Sequence, residues 1–267
     1  MTAMTAMPTV TTITATTATT ATTALLQTRG LTLSFGGVVA ADGIDFDLQA
    51  GERLAVIGAN GAGKTTFINM VTGYIKPSSG RVIFAGTDIT RMHPRQIVHL
   101  GMGRSFQLPQ LFLAHTVRES VALAVVSRSR RLSLFKPLSQ SADADEVDHI
   151  LTVVGMTARA DDVCGSLPEG HRKLLDIAMA LVLNPKLMIM DEPTSGVAAD
   201  EKHALMDTIM KALQERQVTA IFVEHDVDIV QRYATRVAAW IAGRIAADGP
   251  PDVVMANDEV RSVVLGH

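Results

Sequence analysis

An apolar run, Leu54 to Ile57, empties into Gly58-Ala59-Asn60-Gly61-Ala62-Gly63-Lys64-Thr65-Thr66, after which Gly63 to Thr72 carry helical spacing. The pattern GxxxxGK[ST] between a strand and a helix leaves few choices for the backbone. Glycines let the chain turn sharply and bring its N–H groups inward around an anion, and the following helix points its positive dipole end at the same place. In such a loop Gly58, Asn60, Gly61, Gly63 and Thr66 cradle the phosphates of a nucleotide. Lys64 bridges its β- and γ-phosphates, and the Thr65 hydroxyl holds Mg²⁺. A strand feeding a loop and a helix is the unit of a parallel sheet, so the fold class is α/β.

The rest of the chain extends that unit. Short β-rich runs, Leu31 to Phe35 and Ile44 to Leu48, precede the loop and read as an N-terminal antiparallel β subdomain. Arg81 to Phe84 reads as a strand and Pro94 to Leu100 as a short helix with proline near its first turn. From about 108 to 170 the periodicity turns helical, at Val117 to Val126 and Val147 to Val154, as in an inserted α-helical subdomain. A basic, polar stretch with Arg128, Arg130, Arg131 and Lys136 interrupts it, expected as a solvated loop or a contact for anionic headgroups. Apolar strands Leu187 to Met190 and Ala220 to Val223 alternate with helices at Arg172 to Leu183 and after Asp200, which implies parallel pairing with right-handed crossovers. Residues 1–27 are Thr/Ala-rich and are expected to be disordered, leaving 28–267 as the folded domain.

Composition excludes several classes. Aromatics are only 4% against 47% hydrophobic, so the core rests on aliphatic side chains, as buried parallel sheets do. A net charge of −3 gives no field to gather nucleic acid, which is not an expected partner. The single cysteine, Cys164, leaves no disulfide or multi-cysteine metal site within the chain. No apolar run reaches the roughly 20 residues of a membrane span, so any membrane work passes through partners.

A second motif follows the strand Leu187 to Met190: two carboxylates, Asp191 and Glu192, then Pro193. Asp191 is placed to hold Mg²⁺ and Glu192 to act as general base on an attacking water. Three further elements stand in fixed order: Gln107 in Gly103-Arg104-Ser105-Phe106-Gln107, Leu167-Pro168-Glu169-Gly170-His171 before a helix, and His225 in Phe222-Val223-Glu224-His225-Asp226.

With these the chain resembles the ABC ATPases from about residue 28 onward. The resemblance implies that Gln107 senses Mg²⁺ and the γ-phosphate, that Gly170 faces ATP held by the opposite subunit, and that His225 contacts the γ-phosphate. It also places Phe35 against adenine, where an aromatic face suits any purine; an ordinary core phenylalanine is the alternative. Phe35-Gly36-Gly37-Val38-Val39-Ala40, Gly61 to Asn69 with Thr72-Gly73, Val223 to Asp226 and the tail from Asp248 to Gly266 are similar to the ATPase subunits of branched-chain amino-acid importers and their amide and urea relatives.

That likeness implies ATP and Mg²⁺ as cofactors, two transmembrane permease subunits and a second ABC ATPase subunit as partners, and an extracytoplasmic solute-binding protein acting indirectly. It implies a peripheral place on the cytoplasmic face of the inner membrane. An ABC ATPase of another transport system, or a soluble regulatory ABC protein, is the rival reading. One departure stands out. The family's usual LSGGQ reads Leu167, Pro168, Glu169, Gly170, His171 here, so the serine hydroxyl is missing and a carboxylate has arrived. A weakened composite site and a tolerated variant both follow from it.

Overall fold

The computed structural model describes residues 24–129 and 142–263. Arg130, Arg131, Lys136 and most of the Thr/Ala-rich tail lie outside the described residues. Two sheets organise what is described. One has four strands in the order β2-β1-β4-β5: β1 (Leu26–Phe35), β2 (Val38–Leu48), β4 (Ser79–Phe84) and β5 (Thr87–Asp88), all antiparallel. The other has six in the order β10-β9-β3-β8-β7-β6: β3 (Arg53–Gly58), β6 (Met102–Ser105), β7 (Leu187–Asp191), β8 (Thr219–Val223), β9 (Arg236–Ile241) and β10 (Arg244–Gly249). Its pairs are parallel from β6 to β9, and β10 closes the edge as an antiparallel hairpin partner.

Side-chain alternation assigns the two faces of the parallel sheet. Leu54, Val56, Leu187, Ile189, Ile221 and Val223 point toward the antiparallel sheet, with helix α1 (Lys64–Val71) packed between. Phe67 of α1 lies 5.0 Å from the Trp240 ring and 5.9 Å from Phe46, joining both sheets. The intervening residues Ala55, Met188, Met190, Ala220 and Phe222 face the helical layer. There lie α3 (Val117–Ser129), α4 (Ala144–Val153), α5 (Glu169–Val182), α6 (Lys202–Glu215) and α7 (Val227–Tyr233); α2 (Pro94–His99) packs beside β6, with Ile97 in the cluster on the opposite face, and α8 (Pro251–Ala256) and α9 (Asp258–Val263) end the described chain. Helices α3 and α4 share one continuous apolar cluster with the sheet through Leu175, Ile177 and Leu181 of α5. A period-2 strand buried on both faces is what aliphatic runs such as Leu-Met-Ile-Met require.

Four features depart from the sequence expectations. Strand β1 begins at Leu26, inside the expected tail, because that side chain is fully buried between Leu48 and Phe84. β6 has no counterpart in the apolar pattern. Helix α5 starts at Glu169 rather than Arg172, with Pro168 as its N-cap at φ −56° and ψ 155°. Arg128 is no part of a solvated loop: its guanidinium makes two 2.6 Å bonds to the Glu146 carboxylate and a 2.9 Å bond to the Val182 carbonyl.

Candidate functional site

The glycine-rich loop leaves the end of β3 in the middle of the sheet, between β8 and β9, and enters α1. Two of its glycines are required by what lies against them. At Gly58 a Cβ would sit 2.6 Å from the Trp240 carbonyl oxygen; at Gly63, φ 104°, it would sit 2.4 Å from the Ala40 oxygen. The β9–β10 turn braces the loop from outside, with Gly243 N–H donating to Ala62 O at 2.9 Å and Asp42 N–H donating to Gly243 O at 3.0 Å. Lys64 is 6% exposed, and its ammonium donates to Gly58 O at 2.6 Å and Ala59 O at 3.0 Å, so it spans the concave side of the loop. Burial pushes the Lys64 pKa down, while Glu192 and Asp191 pull it back up. Thr65 is exposed at the second position of α1, and Asn60 and Gly61 are exposed on the loop.

Two strands away, β7 ends in Asp191, 8% exposed, whose carboxylate lies 3.5 Å from the Arg104 guanidinium. Burial holds the Asp191 carboxyl above its ordinary range, against the pull of Arg104. Arg104 is itself boxed in. It donates to Asn69 Oδ1 at 2.7 Å and Thr72 Oγ1 at 3.1 Å, and its charge lies 5.3 Å from the Tyr74 ring centre and 4.9 Å from that of Phe106. Nothing in the sequence pattern singled out Arg104.

Glu192 gathers two further predicted residues. Its φ of +50° is left-handed, a conformation a non-glycine residue holds only where surroundings fix it. Gln107 Nε2 donates to Glu192 Oε2 at 2.8 Å, and His225 Nε2 lies 3.1 Å from Glu192 Oε1. Residues 85 and 33 positions away in sequence thus meet on one carboxylate. Each is held by local structure. Gln107 follows β6, where Phe106 N–H donates to Asp176 at 3.2 Å. His225 stands between β8 and α7, its own N–H on Glu224 Oε2 and the next residue, Asp226, capping α7. Glu224 is buried yet satisfied, because Thr194 gives its Oε1 both N–H (3.0 Å) and hydroxyl (2.8 Å).

Gly170 and Phe35 lie apart from this cluster. Gly170 is in the first turn of α5, whose contacts run to Val197 and, through Glu169, to Gly196; the helix has no side-chain N-cap bond. Phe35 ends β1 and is 51% exposed, so it is not an ordinary core phenylalanine. Burial lowers the His171 pKa, with Arg159 adding to the effect.

The donors suit a magnesium nucleotide. A glycine-rich cradle spanned by the Lys64 ammonium suits phosphates, and the Thr65 hydroxyl with the buried Asp191 carboxylate offers two oxygen donors to a cation, a set that needs phosphate oxygens to complete it. Among the described residues no cluster of three His, Cys, Asp or Glu side chains could hold a metal unaided. Nor is any described helix long and apolar enough to cross a membrane.

Comparison with known proteins agrees with the geometry. The family model for the ABC transporter matches residues 41–195. The chain is 33% identical over 248 residues to a probable branched-chain amino acid transport ATP-binding protein LivG of Archaeoglobus fulgidus, covering 91% of this chain and 95% of that protein. It is 31% identical to the high-affinity branched-chain amino acid transport ATP-binding protein BraF of Pseudomonas aeruginosa, covering 91% and 98%. An ATP-binding cassette of an ABC transporter solved in its ADP conformation superposes with a TM-score of 0.77 at 30% identity, over 91% of this chain and 99% of that one. The cbiO1 subunit of the cbiONQ transporter complex of Clostridium perfringens also reaches 0.77 at 30% identity, over 90% and 93%. Loop, carboxylate cluster and relatives converge on one conclusion: the chain belongs to the ABC transporter family, as a nucleotide-binding, ATP-hydrolysing subunit.

Proposed function

We propose that this subunit energises an ABC importer for branched-chain amino acids or related small polar solutes, and that Glu192 is its general base. The observation that carries the reading is the carboxylate of Glu192, held at the end of β7 between Gln107 and His225. Triphosphate binding draws the Lys64 amine off the Gly58 and Ala59 oxygens and onto the β- and γ-phosphates. Asp191 and the Thr65 hydroxyl would hold Mg²⁺, with Gln107 beside it, and the ion would supply charge neutralisation for the phosphate oxygens. Phe35 stacks on the adenine. Gln107 and His225 occupy both oxygens of Glu192 in the described arrangement. A γ-phosphate that attracts either of them frees an oxygen to accept the proton of the attacking water.

In this reading two ATPase subunits close head to tail, and Gly170 with the α5 N-terminus meets the partner's ATP. Permease segments dock in a groove of about 470 Å³ beside the Gln107 segment, lined by Ile97, Val98, Met102, Leu123 and Met179. Leu108, Phe112 and Leu113, exposed next to Gln107, extend that apolar surface, as a partner-covered face requires. The chain lies on the cytoplasmic face of the inner membrane, with two permeases, a second ATPase subunit and, indirectly, a solute-binding protein. The likeness to branched-chain amino acid transport ATP-binding proteins supports the substrate class. The equal superposition of the cbiO1 subunit does not separate this reading from the rival, an ATPase of another transport system, because the cassette fold does not choose the cargo.

The test has two parts. Glu192→Gln in the full chain is expected to reduce MgATP turnover at least 100-fold while leaving ATP affinity within a few-fold. Turnover retained would remove Glu192 from its role. Mass spectrometry of proteins copurifying from gently solubilised membranes is expected to return two permeases and a second ATPase; an active complex without permeases would point to the soluble regulatory reading.

A further inference from the structure

Lysine is seldom fully buried without a carboxylate against it, yet Lys173, in the second turn of α5, is 4% exposed. Its ammonium is bound instead by two main-chain oxygens: that of Glu192 at 2.7 Å and that of Gln107 at 3.4 Å. Burial pushes its pKa down, and the charges of Glu169, Glu224, Glu192 and Asp176 pull it part of the way back. The Glu192 N–H is held from the other side by Val223 O at 3.0 Å. A left-handed non-glycine residue is therefore clamped at both its amide and its carbonyl, and the clamp sets where its carboxylate points.

The clamp comes from a telling place. Lys173 lies two residues beyond His171, on the helix whose first turn carries Glu169 and Gly170. Any shift or rotation of α5 at its N-terminus moves the ammonium, and with it the carbonyls of Glu192 and Gln107 together. We infer that Lys173 is a positioning residue that ties the N-terminus of α5 to Glu192 and Gln107, so that what α5 meets outside the subunit adjusts the general base within it. The inference rests on the dimer of the proposed function: one end of the link then faces the partner's ATP and the other serves the subunit's own. Two catalytic sites communicate through a single side chain in each subunit. A hydrophobic filler of the same volume would keep the packing and lose the link.

Lys173→Met and Lys173→Arg in the full chain test it. The methionine variant is expected to lose 10- to 100-fold in kcat for MgATP, with KM and nucleotide Kd within about twofold, because misplacement of a reacting group by about 1 Å has that effect. Arginine, which offers several donors, is expected to restore most of the rate. Amide hydrogen exchange without nucleotide gives a readout independent of turnover. Protection of residues 105–108 and 191–194 is expected to fall in the methionine variant, while that of 175–182 in α5 stays unchanged. In the Glu192→Gln background, ATP-driven dimerisation followed by light scattering is expected to need several-fold more ATP once Lys173→Met is added. A methionine variant with unchanged kcat, or one losing kcat, affinity and protection throughout α5 together, overturns the inference. If methionine prevents folding, Lys173→Gln replaces it with the same criteria. Failure of the underlying reading looks different: Glu192→Gln would then leave turnover intact, or Lys64→Ala would leave ATP binding intact, whatever Lys173 does.

Discussion

Asp176 is the carboxylate the fold holds furthest from comfort, and replacing it by asparagine should stabilise the subunit. It lines the apolar groove beside Gln107, and burial pushes its pKa up to about 6 from 3.8, even though Phe106 N–H and Lys173 favour the charged form. The sign follows from linkage. A carboxyl whose folded pKa is raised keeps its proton in the native state while the unfolded chain has released it. Stability is therefore highest below the unfolded value and is lost as pH rises from about 4 to about 6. At 1.36 kcal/mol per unit the full shift amounts to about 3 kcal/mol of destabilisation above pH 7, and water reaching the open side of the groove reduces it to between about 1 and 3 kcal/mol. Asparagine keeps an oxygen for Phe106 N–H without a charge to desolvate. Urea unfolding of wild type and Asp176→Asn at pH 3.5, 5 and 7.5 is expected to give curves that nearly converge at pH 3.5, separate by about half that amount at pH 5 and by all of it at pH 7.5, the variant being more stable. A separation that does not change with pH, or a variant less stable at pH 7.5, would refute the reasoning.

Two other substitutions probe neighbouring elements. Arg104→Met leaves Asp191 buried without its cation, which is expected to cost about 3 kcal/mol at pH 7.5; because the loss raises the Asp191 pKa further, urea midpoints of variant and wild type should approach each other as pH falls toward 5, and a pH-independent loss would mean packing alone. Pro168→Ser places a hydroxyl at the uncapped N-cap of α5 and is expected to raise stability by about 0.5 to 2 kcal/mol in thermal unfolding. If the proline also weakens the composite site, hydrolysis by the assembled transporter rises with it, whereas an unchanged rate assigns proline to a tolerated variant.

Elements built from local patterns were legible before any coordinates. Leu187 to Met190 is apolar at every position because both sheet faces are covered, and Gly58 to Thr66 can only be a turn between strand and helix. The antiparallel β subdomain and the parallel core followed from such runs. What escaped was structure made by contact at a distance. Met102–Ser105 contains a glycine and an arginine and has no alternation, yet it is a strand because β7 offers it a parallel edge. The start of α5 at Glu169 did carry a signal, a proline followed by an acidic first turn, which the departure from the usual signature obscured.

The site divides along the same line. Lys64, Asp191 and Glu192 could be named because each belongs to a short motif with its own chemistry, and Gln107 and His225, which meet on the Glu192 carboxylate, only through the family resemblance. Arg104 and Lys173 could not, since neither residue type is informative alone and the hydrogen-bonding and ionic partners lie 32 to 87 positions away for Arg104, the hydrogen-bonding partners 19 to 66 for Lys173. Both are buried cations that spend their charge holding parts of the machinery rather than phosphate. A motif records what must face the ligand, where chemistry narrows the choice to one or two residue types. The residues behind it answer to geometry, and several side chains of suitable length and charge would serve. The left-handed turn at Glu192 shows the consequence: no local sequence asks for it, and a lysine in the second turn of a different helix helps to hold it in place.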